Sequence, residues 1–338
     1  MTNLSKPFTP RELHHRLLDG IKPSLAFDTQ KNFYEQKNAL KSALEELVRV
    51  PKRTERGKIV VEYTDTSDNR FDEIRFRFES EENFFVPAHL LLPKTRKEKL
   101  PLVICLQGHS PGMHVSLARE PYPSKKRIVV EGDRDFCLQA VKRGYAALAV
   151  EQRGFGELGY NAPDNDCHVL AWQAALVGRT LIGERVCDIS SAIDAVLSNF
   201  PIIDPMRIGA TGNSGGGTAS YFVACFDQRI KVCMPSSSFC NFADAWGKIY
   251  HCDCGYVPRI LEYMEMSDMS ALIAPRPLII VNGKLDHLQP FTAAQSAFQK
   301  VKEIYEAANS KDNCTMVVGN EGHRFYAELA WKEFEKFI

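Results

Sequence analysis

No sign of charge prevails in this 338-residue chain: 42 lysines and arginines stand against 42 aspartates and glutamates. Such a balance offers no long-range attraction to nucleic acid or to an anionic membrane, so a small neutral molecule is the better-fitting partner. An apolar core is missing from the N-terminal MTNLSKPFTPRELHHRLLDG, which argues against a signal peptide or membrane span there and makes cytoplasmic residence the expectation. A linker is missing too, and the length suits one large domain with additions: a helical extension over residues 1–56 and a main domain over 57–338. Cysteine pairs at metal-knuckle spacing are also lacking. The ten cysteines are scattered, mostly in apolar runs such as Val103-Ile104-Cys105 and Val232-Cys233-Met234, where buried free thiols are the simplest reading. Cys240, His251, Cys252 and Cys254 do cluster, but Cys252-x-Cys254 lacks the two-residue gap of a structural zinc knuckle and no second pair follows. No metal is expected. Gly154, Gly156 and Gly159 follow an apolar run, yet Glu157 would aim negative charge at a pyrophosphate; they read as a structural turn, and no cofactor is expected.

The apolar residues are arranged in two patterns. A helical segment around Phe33 to Val50 is followed by alternating runs at Lys58–Tyr63 and Phe71–Phe78, which predict antiparallel strands with one solvated face. Phe84–Leu92 predicts a third strand, with Pro87 marking an edge or bulge. From Leu100 onward the runs become short and almost wholly apolar, as a parallel sheet covered on both faces requires. They are Leu102–Leu106, Tyr145–Val150, Arg207–Ala210, Ile230–Met234, Leu278–Val281 and Thr315–Val318. Between the second and third, Ile182, Val186, Ile189, Ile193 and Val196 recur at helical spacing, with Glu184, Arg185, Asp188 and Asp194 on a face expected to be wet. The architecture implied is α/β, a mostly parallel central sheet flanked by helices, with an N-terminal helical and antiparallel extension.

Ligands of such sheets sit beyond the carboxyl ends of the strands, and three chemically suggestive residues fall there. Gly212-Asn213-Ser214-Gly215-Gly216 follows the apolar Ile208-Gly209-Ala210 and precedes a small-residue helix. Strand, sharp turn and helix put the serine at the tip of the bend, with glycines where side chains would collide; this is the form of a nucleophile elbow. A Gly/Ser-rich loop that merely starts a helix is the plainer alternative. Asp286, in NGKLDH, can accept an imidazole N–H and fix its tautomer, although an Asx turn is the ordinary use of an Asp there. His323, in GNEGH, can take the serine proton and later return it to the leaving group. His287 is a rival base, but it adjoins the proposed acid. Backbone N–H groups of His109, in Gln107-Gly108-His109-Ser110-Pro111-Gly112, and of Gly215 could form an oxyanion hole, each such donor being worth about 3 kcal/mol.

Together these blocks resemble the α/β-hydrolase superfamily and, more narrowly, its acetyl xylan esterase-like and dienelactone hydrolase-like branch, from about Phe84 to the C-terminus. The resemblance rests on GNSGG at Ser214, GKLDHLQP at Asp286 and NEGHRFY at His323. Cys167-His168, LVGRTLIGERVCDISSAID and EQRGFGELG look like blocks of the deacetylase-like members, in which the arginine at Arg153 is structural. Gln107 departs from the histidine usual in carbohydrate acetyl esterases. The resemblance implies a serine carboxylesterase for small acyl esters, acetylated carbohydrate foremost, that needs no cofactor and forms a homo-oligomer. A small-peptide or amide hydrolase and a noncatalytic binding protein are the alternatives. Two insertions, Pro111–Arg134 with Tyr122, Lys125, Lys126 and Arg127, and Phe242–Pro275 with Trp246, Tyr250, Tyr256 and Tyr263, are expected to frame the pocket as lids.

Overall fold

The computed structural model describes residues 9–54, 57–95, 98–109, 111–159 and 166–338; Ser110 of the proposed oxyanion loop lies outside them. Among the described residues nine strands form one sheet in the order β1-β2-β3-β5-β4-β6-β7-β8-β9. The strands are β1 (Ile59–Asp65), β2 (Phe71–Glu81), β3 (Phe84–Pro93), β4 (Leu100–Leu106), β5 (Ala146–Val150), β6 (Ile203–Asn213), β7 (Val232–Ser236), β8 (Leu278–Gly283) and β9 (Cys314–Gly319). β1, β2 and β3 pair antiparallel, β3 joins β5 antiparallel, and every pair from β5 through β9 is parallel. This is the architecture anticipated from the two patterns of apolar residues. β3 is internal rather than an edge, and Pro87 lies just before the Ala88–Leu91 ladder with β5, so its missing N–H interrupts no bond of that ladder.

Helices cover both faces. Leu102, Ile104 and Leu106 of β4 join one core with α2 (Phe33–Val48), α5 (Leu181–Asn199), α6 (Gly215–Phe226), α8 (Met266–Ile273) and α9 (Phe291–Ala307). Val103 and Cys105, pointing the other way as strand alternation demands, join a second core with α3 (Phe136–Lys142) and α10 (Ala327–Phe334). α1 (Pro10–Gly20), α4 (Cys167–Leu176) and the short α7 (Ile260–Tyr263) complete the α-helices of the described residues. α2 presents Leu40, Leu44 and Val48 at four-residue spacing, each essentially buried and worth about 1.5–3 kcal/mol. Its C-terminus meets the start of α5, where the Thr180 hydroxyl caps Gly183 N–H at 3.0 Å and donates to Val48 O at 2.6 Å. No helix is long and apolar enough to cross a membrane among the described residues.

α5 corrects one expectation. Its polar face is not wet: Arg185 and Asp188 are 1% exposed and Asp194 8%. β2 and the segment before β1 lie against it, and arginines from that segment, from the turn after β5 and from beyond α6 supply partners that periodicity cannot reveal. Arg153 contacts Asp188, Glu184 and Glu81 within 3.1 Å, and Asp194 receives Arg53 and Arg229. Arg153 thus ties the turn after β5 to α5 and to the end of β2, a structural use of the arginine in RGFG.

Candidate active site

β4 is flanked by β5 on one side and β6 on the other, so the chain leaves the sheet in opposite directions at its carboxyl end. A crevice opens at such a point, and Ser214 stands on its rim immediately after β6. The serine has φ 57° and ψ −124°, a strained backbone for any residue with a Cβ, held because the surroundings leave no alternative. Its N–H donates to Ser236 O at 2.8 Å. A Cβ on Gly216 would lie 2.1 Å from Leu106 O, and one on Gly212 2.5 Å from the Gly216 carbonyl carbon; the two glycines let β4, β6 and α6 meet at this bend.

His323, after β9, lies with Nδ1 3.0 and 2.9 Å from the two oxygens of Asp286, after β8. Burial alone would raise the Asp286 carboxyl, but the His323 hydrogen bond and the N–H groups of Gln289 and Leu288 outweigh it and hold it below its ordinary range. A carboxylate only accepts, so Nδ1 carries the hydrogen, and in the neutral ring Nε2 has the lone pair. His323 and Ser214 line one cavity of about 510 Å³, within the range of small-molecule sites. Their side chains are not hydrogen bonded to each other, as is common before a substrate tightens such a pair. His287, the rival base, is exposed, with its ring centroid 6.4 Å from that of His323, and does not line the cavity.

The two expected oxyanion donors are at the same place. Gly215 opens α6, where the first N–H groups have no intrahelical acceptor, and His109 follows β4. Among the described residues neither N–H finds an acceptor. Gln107 points beneath the loop, donating to Ser116 Oγ at 2.6 Å and Arg134 O at 2.7 Å, and so anchors the loop rather than lining the cavity. Glu151, which the sequence did not single out, accepts the N–H of Met113 at 3.0 Å and of Glu157 at 3.2 Å, tying the oxyanion loop to the RGFG turn. Desolvation dominates over these bonds and pushes its carboxyl up to about 8.

The insertions divide the work differently than expected. Tyr122 stacks on Tyr63 and Arg75 along the antiparallel edge of the sheet, and Lys125 pairs with Asp65; these residues do not reach the cavity. Only Glu131, Gly132 and Arg134 of that insertion approach the serine, from a separate polar groove on its other side. From 242–275, Trp246 and Tyr250 line the cavity, whereas Tyr256 and Tyr263 do not. Trp246 is mainly packing, stacked on His251 at 4.7 Å; Tyr250 is 87% exposed at the mouth.

The same cavity holds a group that sequence spacing concealed. Cys252 and Cys254 meet neither Cys240 nor His251 but His109 and Cys167, the four ligand atoms all lying within 4.8 Å of one another. The neighbouring groups favour an imidazolium at His109 and a thiolate at Cys254: burial disfavours the charged ring, but the sulfurs of Cys167 and Cys254 outweigh it and push His109 up to about 9.

A strand–elbow–helix serine at the switch point of a largely parallel sheet, with a histidine–carboxylate pair after the last two strands, defines an α/β-hydrolase. Residues 6–168 match the Abhydrolase family and residues 135–337, more than half of the chain, match the Prolyl oligopeptidase family, to which the chain belongs. "Putative hydrolase YtaP" of Bacillus subtilis (strain 168) is 26% identical over 265 residues, covering 75% of this chain and 82% of that one. Among solved structures, one titled "putative acetyl xylan esterase" from Bacteroides fragilis NCTC 9343 superposes with a TM-score of 0.80 at 18% identity, over 98% of this chain and 95% of that one. "Methylesterase BT1017" gives a TM-score of 0.69 at 19% identity, over 96% and 67%. At these identities the structures speak for the fold.

Proposed function

We propose that the chain is a serine carboxylesterase that cleaves small acyl esters through an acyl-enzyme, with acetylated carbohydrate the foremost substrate class. The observation that carries this is the strained elbow at Ser214 opening onto the same cavity as the Asp286-oriented His323. In the reaction His323 Nε2 takes the Ser214 proton as Oγ attacks the carbonyl, and the N–H groups of Gly215 and His109 receive the negative charge. His323 returns the proton to the departing alcohol, then activates the water that frees the acid. The cavity on one side of Ser214 and the groove bearing Glu131, Arg134 and Arg324 on the other could take the two halves of an ester, the charged groove suiting a polar alcohol. The structural relatives named as esterases support the reading, as does the resemblance of the sequence blocks.

A second reading, amide or small-peptide hydrolysis by the same residues, is favoured by membership of the prolyl oligopeptidase family. A panel of aryl esters of rising acyl length, beside acetylated sugars and aminoacyl amides, separates the two. The specificity constant is expected to fall from acetyl to butyryl, an apolar pocket discriminating by about 1–3 kcal/mol per methylene. Constant or rising values through octanoyl would demote the carbohydrate reading, and amides cleaved faster than their ester counterparts would replace it.

A further inference from the structure

His109, Cys167, Cys252 and Cys254 come from three places: the loop after β4, the first residue of α4, and a turn in the 242–275 insertion. His109 Nε2 lies 3.4 Å from Cys254 Sγ and 3.8 Å from Cys167 Sγ. A zinc ion bound at ~2.3 Å to sulfur and ~2.0–2.1 Å to nitrogen in a tetrahedron separates its ligand atoms by roughly 3.5–3.8 Å, so these four need little rearrangement to close on one. Three sulfurs and one imidazole nitrogen are also a ligand set that zinc prefers in structural sites.

Charge gives an independent argument. Arg185 is 1% exposed, donates to Cys167 Sγ at 3.3 Å and to Arg153 O at 2.7 Å, and lies over the Phe155 ring. Among the described residues no carboxylate pairs with it, although an unpaired buried cation is costly. Zinc with three thiolates and a neutral imidazole carries one net negative charge, which the guanidinium beside Cys167 neutralises. Binding would release the thiol protons of Cys167 and Cys252 and the extra imidazolium proton of His109 to solvent, and the partly exposed Cys252 and the cavity-facing His109 offer an entry path.

We propose that His109, Cys167, Cys252 and Cys254 form a zinc site of the Cys3His type, with Arg185 as its counter-ion, revising the expectation of no metal. Four protein ligands leave no open position, so the ion positions rather than reacts. It clamps the oxyanion loop to α4 and to the 242–275 insertion that covers Ser214; only this consequence for turnover rests on the esterase reading.

The test uses the full chain, loaded with zinc under a phosphine reductant and desalted, with metal measured by mass spectrometry and by chromophoric chelator after thiol modification. About one zinc per chain is expected. Cobalt in its place should give thiolate-to-cobalt charge-transfer bands with tetrahedral d–d bands, and Cys252→Ser and Cys167→Ser should each weaken retention against a competing chelator about tenfold or more. Cys252 is partly exposed, and circular dichroism checks the folding of that variant; the cobalt spectrum of the wild-type chain needs no variant at all. Less than about a tenth of a zinc per chain without cobalt–thiolate bands, retention unchanged in both variants, or a disulfide between two of the sulfurs in the reduced preparation would overturn the proposal. None of these readouts depends on hydrolytic activity.

Discussion

His323 and His109 both line the cavity over Ser214, yet one rests on a buried carboxylate and the other on sulfur atoms. Both are aromatic bases on loops after parallel strands, so residue type and position alone do not distinguish them. Their partners do. Asp286 accepts from Nδ1–H of His323 and leaves Nε2 facing away from it, as the proposed proton transfer requires, whereas the sulfurs crowd Nε2 of His109, so that in the proposed reaction only its backbone N–H would act on substrate. The side chain of a cavity histidine and its main chain can serve different purposes.

The largest effect that would break this division belongs to Ser214. Ser214→Ala is expected to lower ester turnover by about 10⁶-fold with folding intact, and to abolish labelling by a serine-directed phosphonate. Retention of a few per cent of activity in pure protein would move the nucleophile elsewhere. Asp286→Asn should cost about 10⁴-fold, chiefly in kcat, because an amide permits the wrong tautomer of His323. Cys252→Ser sharpens the other side: if the sulfur cluster only positions, kcat should fall about 10-fold with phosphonate labelling of Ser214 preserved though slowed. A loss as deep as that of Asp286→Asn would place the cluster in the chemistry.

Glu151 yields the smallest and most pH-specific effect. Its folded carboxyl titrates at about 8 against an ordinary 4.5, so the native state keeps a proton that the unfolded chain has released. The stabilising contribution is full below about pH 4.5 and declines as pH rises through about 8. Between about pH 6 and 9 the melting temperature of Glu151→Gln should therefore drop less than that of the wild type, by a few degrees. Equal slopes would show that Glu151 is already ionised across that range.

Ser214, Asp286 and His323 were legible as candidates because each sits in a local signature, a turn directly after an apolar strand, that a window of ten residues contains. So were the nine strands of the described residues, to within a few residues at their ends. The cysteine cluster was not, since Cys254 and His109 are 145 positions apart and only the fold brings them together. Asp188 and Asp194 misled for a related reason: helical periodicity marks which face is polar, not whether another element with arginines comes to cover it. Glu151 left no signal because a carboxylate at a strand end reads as solvated until its burial is known.

The position of β4 also bears on when the site comes into being as the chain folds. β1, β2 and β3 are joined by short turns and can pair locally, whereas β4 must slot between β5 and β6, with Leu102 beside Ile208 across roughly a hundred residues of chain. Closing contacts of such separation is slow compared with forming hairpins, which take about 1–10 μs. Ser214 gains its strained backbone only once β6 and β7 are in register and the glycine contacts at the end of β4 are made. In refolding from denaturant, phosphonate reactivity should consequently appear after most of the strand signal, and the nucleophile would be among the last parts of the molecule to become competent.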